Sequence, residues 1–467
     1  MNTQSTVPAA RRDLGAATCV LIGLTTIVGG GIFALPPLLA TVLGPLSFLS
    51  FVGAAVVAVF IGLVTAEAAG TTDATGGAYQ YSRLAFGAPA GFFVAWLGWV
   101  NNIIAWSGIS LALVKLLDLA SEGLGSGITG SAIATAQIII FSVINAFGAK
   151  PGASVSNVIT ILKLLPLAFF IIIGMLAFDA ARFSGSVEKL TTAGVGGFAI
   201  SVYRCFFAAS GFENIGVIAG DVKDPKRLIP KAVIIAIVAS SALYALIQLS
   251  IVASGVNLAA IVSKGGPTTP ALPLAAEDIG TSLVSPGFGY ISYLILLIGA
   301  AVSMVGFCAG IAIVAPRYLY AMAGDRFVPP ILVKTTKNGA PVYAIFTAAA
   351  MSILLVWVSD WLSLLDANVL FAFVQHSFTI LATWKLRKIV STENRFIAPG
   401  GSFAILAALG VIVLLCYFAF QPVSENMKGL VEPVSLAQFK ALGIVLFIGA
   451  AVAASSRLLS RQRNLTL

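Results

Sequence analysis

LGAATCVLIGLTTIVGGGIFALPPLLATV, residues 14 to 42, is an apolar run long enough to cross a bilayer, and VGGGIF, residues 28 to 33, interrupts it near its middle. A bilayer core about 30 Å thick takes roughly 20 helical residues, so the glycines fall at mid-depth. Glycine there weakens the helix and bares the backbone. Unpaired NH and CO groups at that depth are tolerated only against protein or a water-filled cavity, so the break predicts a cavity. The NH groups of Gly30, Gly31 and Ile32 then open a second half-helix. Its positive dipole end favours an anion such as a carboxylate, an arrangement found in secondary transporters built on discontinuous helices.

Composition places the rest of the chain around that run. Of 467 residues, 59% are hydrophobic and 10% charged, against a soluble norm of about 25% charged, and the mean hydropathy is +1.01. This is the composition of an all-α polytopic membrane protein. Residues 1 to 13 are polar and the first apolar run is too long for a signal core, so it is read as a span and not as a cleavable leader. Apolar runs lie near 14–42, 46–69, 90–118, 130–148, 153–178, 196–219, 228–254, 288–322, 341–358, 362–384, 401–420 and 437–457, which gives 12 transmembrane helices.

The net charge of +9 follows from topology. With the N-terminus inside, most Lys and Arg fall on one side, among them Arg11, Arg12, Arg83, Lys150, Lys226, Arg227, Arg317, Lys337, Arg387 and Arg461. Only Lys115, Arg182, Lys189, Lys264, Lys428 and Lys440 fall on the other. The positive-inside rule then puts both termini in the cytoplasm, and no nucleic acid partner is needed to explain the charge. Cys19, Cys205, Cys308 and Cys416 lie within spans with no CxxC spacing, so they are read as small core residues, with no disulfide and no metal site expected.

Polar residues inside the spans carry the chemistry. Asn101 and Asn102, mid-way along the third span, turn inward as interhelical hydrogen-bonding groups or as cavity lining. Lys163 lies about twelve residues past Pro151, roughly 15 to 18 Å deep at 1.5 Å per residue. From there its side chain does not easily snorkel to either interface. Desolvation disfavours an ammonium, so Lys163 is a proton carrier or fixed internal cation, or else a static partner of backbone carbonyls. The sixth span repeats the peculiarity of the first: ASGFENIGVIAG, residues 209 to 220, sets Ser210, Gly211, Glu213 and Asn214 together in an apolar run, about 181 residues after the first break. That spacing suits two five-helix halves, the second inverted in the membrane. His376, the only histidine, is read as a hydrogen-bonded packing residue in the tenth span before a proton relay. Gly76 and Gly77 read as a turn preceding interfacial tyrosines, Tyr79 and Tyr81. The loops near 179–193, 255–285 and 421–436 read as external and uninformative.

GGGIF at 29 to 33, AEAAG with GGAYQY, NAFGAK, FFAASGFENIGVIAGDVKDPKRLIPKA at 206 to 232, PRYLYAMAGD at 316 to 325 and GAPVYA at 339 to 344 resemble, in the same order, the amino acid, polyamine and organocation transporter family, in particular its bacterial amino acid permeases. The resemblance covers roughly residues 14 to 345. It implies a LeuT-like fold: a first inverted repeat at 14–178, a second at 196–384, and two peripheral helices at 401–457, flanked by cytoplasmic tails 1–13 and 458–467. It also implies that Gly29, Gly30 and Gly31 bind a substrate carboxylate and that the carbonyls of Cys205, Phe206 and Ala208 bind its amino group. Phe207 would gate the site, and Glu213 would either serve as an acidic site residue or clamp the unwound backbone. Lys163 would stand where a lysine replaces sodium.

Three departures from the family pattern stand out: Asp73 where proline is frequent, Arg326 where glycine is usual, and Arg204 one turn from Phe207. An arginine bordering the outer vestibule would repel a cationic substrate at close range, whereas Asn102 aligns with an asparagine of arginine and polyamine exchangers. The expected function is secondary active amino acid transport in a bacterial inner or plasma membrane, coupled to protons and without cofactors, the alternative being an amino acid/amine exchanger. An enzyme would need a constellation of acids, bases or metal ligands; one histidine and almost no intramembrane carboxylate besides Glu213 do not provide it.

Overall fold

The computed structural model describes residues 14–72, 76–147, 153–258, 260–261, 270–391, 395–421 and 434–465. Residues 1–13, Asp73, Lys150, Lys264 and Lys428 lie outside the described residues. The first span is two helices, α1 (Ala16–Ile27) and α2 (Gly31–Leu43), followed by α3 (Phe48–Ala69), a short α4 (Ala78–Phe86), α5 (Ala88–Ala120), α6 (Gly127–Ala146) and α7 (Ala153–Leu176). The sixth span is α8 (Ser186–Ala209) continued by a 3-10 helix, Phe212–Asp221. Then come α9 (Pro225–Ala253), α10 (Leu272–Leu283), α11 (Pro286–Gly324), α12 (Val342–Val358), α13 (Trp361–Ile389), α14 (Ser402–Ala419) and α15 (Ala437–Leu465). The described residues form no strand, only an isolated bridge between Leu14 and Val222.

Among the described residues nine helical segments are long and apolar enough to cross a membrane, and Ala16–Ile27, Thr160–Leu176 and Val342–Val358 are shorter apolar helices. The shortfall from the twelve expected spans has identifiable sources. The glycine break leaves only twelve residues in α1, and α2 runs through a 3-10 turn into α3, so that Gly31–Ala69 counts as one segment. The molecule is polar-lined inside and apolar outside: Glu67, Lys163, Arg204, Asp366 and His376 are buried, while Leu406, Val413 and Phe447 on α14 and α15 are exposed. Exposed apolar faces on this scale suit lipid, not water.

Helix pairs meet in a regular pattern: α1 against α7 and α9, α3 against α8 and α9, α5 against α11 and α13, and α11 against α7. At the last of these, a side chain on Gly299 would lie 2.5 Å from Pro166, so only glycine lets α11 approach α7 so closely.

Several sequence expectations are corrected. Tyr79 and Tyr81 are not interfacial; they are buried at 3% and 2% exposure, because the Gly76–Gly77 turn (φ 127° and 51°) folds α4 back onto Gly216 and Val217. Parts of the stretches expected as loops are helical: α8 begins at Ser186, and α10 covers Leu272–Leu283, with the Ala271 NH before it donating to the Phe33 carbonyl (2.9 Å). Glu213 is not nearly alone as an intraspan carboxylate. Glu67, fully buried in α3, accepts from Arg387 Nε and Nη2 (2.6 and 2.5 Å) and from the Ala398 NH (2.9 Å), and Asp366 is buried in α13. Arg326 takes φ 61°, unlike any other non-glycine among the described residues, in keeping with the glycine usual there.

Candidate functional site

Both breaks exist, and they touch. After Ile27 the chain bends through Val28, Gly29 and Gly30 before α2 starts at Gly31. After Ala209 it passes through Ser210 and a left-handed Gly211 (φ 108°) before the 3-10 helix. A Cβ on Gly211 would lie 2.3 Å from the Thr26 carbonyl, and one on Gly31 would lie 3.0 Å from Ala208 Cβ. Glycine is therefore required at 211 both by backbone conformation and by the approach of the other break.

The carbonyl end of the first break is satisfied by protein. Lys163, fully buried on α7, donates from Nζ to the carbonyls of Thr25 (2.9 Å) and Val28 (2.6 Å). Tyr244 donates to the Ile27 carbonyl at 3.1 Å, and Ser303 lies 3.4 Å from those of Val28 and Gly29. Thr25 and Thr160 share a hydrogen bond through their hydroxyls, which ties α1 to α7 a second time. A cation is well placed there, because the C-terminal end of α1 carries the negative end of its dipole.

The donor end is different. Among the described residues the backbone NH groups of Gly29, Gly30, Gly31 and Ile32 make no hydrogen bond. They sit at the positive end of α2, where Gly29, Gly30 and Gly31 line a small pocket. Buried backbone donors are almost always paired, so four in succession mark a place where an acceptor belongs. Facing them across the pocket is the end of α8, where Ala208 lines the wall. Of the three carbonyls singled out in the sequence, that of Phe206 accepts from the Ser210 NH at 2.9 Å; Cys205, Phe206 and Ile32 lie outside the pocket lining.

Phe207 lines the pocket and crosses Trp361 of α13 edge to face, ring centroids 5.3 Å apart. Phe307 and Ile311 of α11 and Ile109 of α5 supply apolar wall, and Asn101, Asn102, Asn214 and Asn368 supply polar wall. Asn102 donates to the Gly98 carbonyl of its own helix (2.7 Å), and Asn368 donates to that of Asn101 (3.0 Å). The Oδ1 atoms of Asn101 and Asn214 are buried without a partner. Glu213 Oε2 accepts from the Gly211 NH at 2.9 Å, so the carboxylate clamps the second break while lining the pocket.

Arg204 does not border this pocket. It is 3% exposed and pairs with Asp366 in a two-point ion pair (3.1 and 3.0 Å). His376 is not hydrogen-bonded through Nε2, which is buried without a partner. Asn368, Ser303, Tyr244 and Thr160 escaped the sequence reading, although each is a polar residue in an apolar span. Among the described residues no group of three His, Cys, Asp or Glu could hold a metal ion.

An amino acid permease family model matches residues 14–448. The chain belongs to that family. The permease is 26% identical over 430 residues to the branched-chain amino acid permease BcaP of Bacillus subtilis, covering 87% of each chain. It is 25% identical over 419 residues to the serine/threonine exchanger SteT of the same organism, covering 85% of this chain and 91% of the relative. With the methylthioribose transporter of B. subtilis it shares 24% over 349 residues, 72% of each chain. The permease is thus a multi-pass membrane protein of a transporter family.

Proposed function

We propose that this permease carries an amino acid across the membrane by alternating access, its carboxylate on the NH groups of Gly29 to Ile32 and its ammonium on the Ala208 carbonyl and neighbouring acceptors. The four unpaired donors at the head of α2 carry the reading: they call for an anion, and the second break sets a carbonyl end against them. Relatives named for branched-chain amino acids and for serine and threonine point the same way. The relative named for methylthioribose, which has neither carboxylate nor ammonium, makes the ligand class worth testing directly. A thermal-shift screen of the purified protein against all amino acids, polyamines and methylthioribose is expected to stabilise it only with ligands bearing both a carboxylate and an α-ammonium. Stabilisation by bare amines or by methylthioribose alone would overturn the reading.

The proposal includes twelve spans in two inverted halves, 14–178 and 196–384, with both termini cytoplasmic. Support comes from the packing pairs, which map onto one another when the first five spans are exchanged for the second five. The α1–α9 contact answers the α3–α8 contact, α1–α7 answers α8–α13, and α5–α13 answers α11–α7.

Coupling is assigned to Lys163. Protonated, it holds the carbonyls of Thr25 and Val28 and so fixes α1 to α7; deprotonation removes the charge that makes those bonds strong and frees α1 to move. Lys163→Ala is expected to abolish uptake driven by a pH gradient in proteoliposomes while leaving some substrate binding. Unchanged gradient-driven uptake would end the assignment. The second reading, exchange of an amino acid for an amine, gains from one observation: Arg204 is neutralised by Asp366 and so does not bar a cation, while Glu213 and Asn102 line the pocket. Counterflow separates the two, since an exchanger needs substrate on the far side and a symporter fills empty vesicles.

A further inference from the structure

We propose that Glu213 and His376 form a second proton-binding site, separate from Lys163, which clasps the break after α8 to the middle of α13. The use made of the proton rests on the transport reading; the binding of it does not. His376 is 1% exposed, and its unpartnered Nε2 lies 4.0 Å from Glu213 Oε2. The ring is held on two sides, stacked on Phe212 (5.2 Å, 11°) and edge-on to Phe206 (6.1 Å, 88°). Glu213 is held in turn by the Gly211 NH. A buried ring nitrogen with no partner needs an explanation, and this one faces a carboxylate across a gap about 1 Å longer than a hydrogen bond.

One proton supplies what is missing. With it the pair is neutral overall, as carboxylic acid and imidazole or as carboxylate and imidazolium, and an N···H···O bond can draw α13 onto the break. Without it a nitrogen lone pair faces a carboxylate, the proton has passed to water, and the pair carries −1. An uncompensated charge is costly in so apolar a place, so the deprotonated pair favours opening the break to water. The other titratable groups facing the pair are phenols: Tyr318 of α11, hydrogen-bonded to Gln375, and Tyr81 of α4 beside it. A phenol, with an ordinary pKa near 10, keeps its proton through the physiological range. Lys163 serves the other break, on the Thr25 and Val28 carbonyls. Because Glu213 also lines the pocket, the proton and the substrate act on the same few residues.

A single histidine per chain makes the test direct. The full-length protein, purified through a histidine-free tag, labelled with 15N-histidine and placed in nanodiscs, gives imidazole signals from His376 alone. They are expected to change between pH 5 and 9, and Glu213→Gln is expected to move the midpoint by at least one unit, a tenfold change in proton affinity. Glu213→Asp, which keeps the charge but shortens its reach, should move it less and stands in if the glutamine variant does not fold. Lys163→Ala should leave it in place. Signals that ignore pH in the wild type, or a midpoint indifferent to both Glu213 variants, would overturn the proposal. Wild-type vesicles that accumulate no amino acid would sink the transport reading alone, because the titration is read without transport.

Discussion

Gly211 shows how much one residue carries here. Its φ of 108° is open to glycine and strained for any side chain, and a Cβ would lie 2.3 Å from the Thr26 carbonyl, a backbone atom that has no rotamer to escape into. Strain of this kind costs about 1–3 kcal/mol, and the overlap can be relieved only by pushing the two breaks apart. Gly211→Ala is therefore expected to lower the melting temperature of the purified protein by several degrees and to remove its stabilisation by substrate. Gly310→Ala, where nothing lies within 4 Å of the added carbon, is the control that should do neither. Equal effects at the two positions would mean that the contact between the breaks is not what makes glycine necessary.

At the scale of the element, the legible features were those written as local departures from a pattern. Three glycines inside an apolar run and a serine–glycine pair inside another announce a broken helix, and both breaks appear where expected, at 28–30 and 210–211. The depth of Lys163 could be counted along one helix, and it is buried on the carbonyls of the first break. What could not be read was any property shared between elements distant in sequence. Arg204 looked like a hazard to cationic substrates because its partner, Asp366, lies 162 residues away; Glu67 passed as part of an apolar run because Arg387 lies 320 residues on. Tyr81 looked interfacial for the same reason, since its hydroxyl lies against Gly216 in the 3-10 helix of the sixth span, whereas Tyr79 is covered nearer by, at Gly91 of α5. The donors left open at the head of α2 illustrate both cases: the glycines disclosed the break, but only the packing discloses that α7, α9 and α11 satisfy the carbonyls and leave the NH groups to something else.

For the whole molecule, the buried ion pairs sit where helices of different parts of the chain must be held together without lipid seeing the charge. Arg204–Asp366 joins α8 to α13 near the Phe207–Trp361 ring contact, and Glu67–Arg387 joins α3 to the far end of α13, so α13 is pinned at both ends while the breaks lie between. Such pairs cost desolvation to bury, and stranding one partner costs about 3–5 kcal/mol, whereas replacing both by apolar residues of like volume is often neutral or better. Arg204→Met and Asp366→Leu are each expected to lower the melting temperature clearly, and the double variant to recover most of the loss, a strongly non-additive cycle. Additive losses would mean that each residue is stabilised by other contacts and that the pair does not hold α8 to α13. Recovery of stability in the double variant with uptake still lost would show instead that the charges themselves, and not only the packing they secure, are needed for uptake.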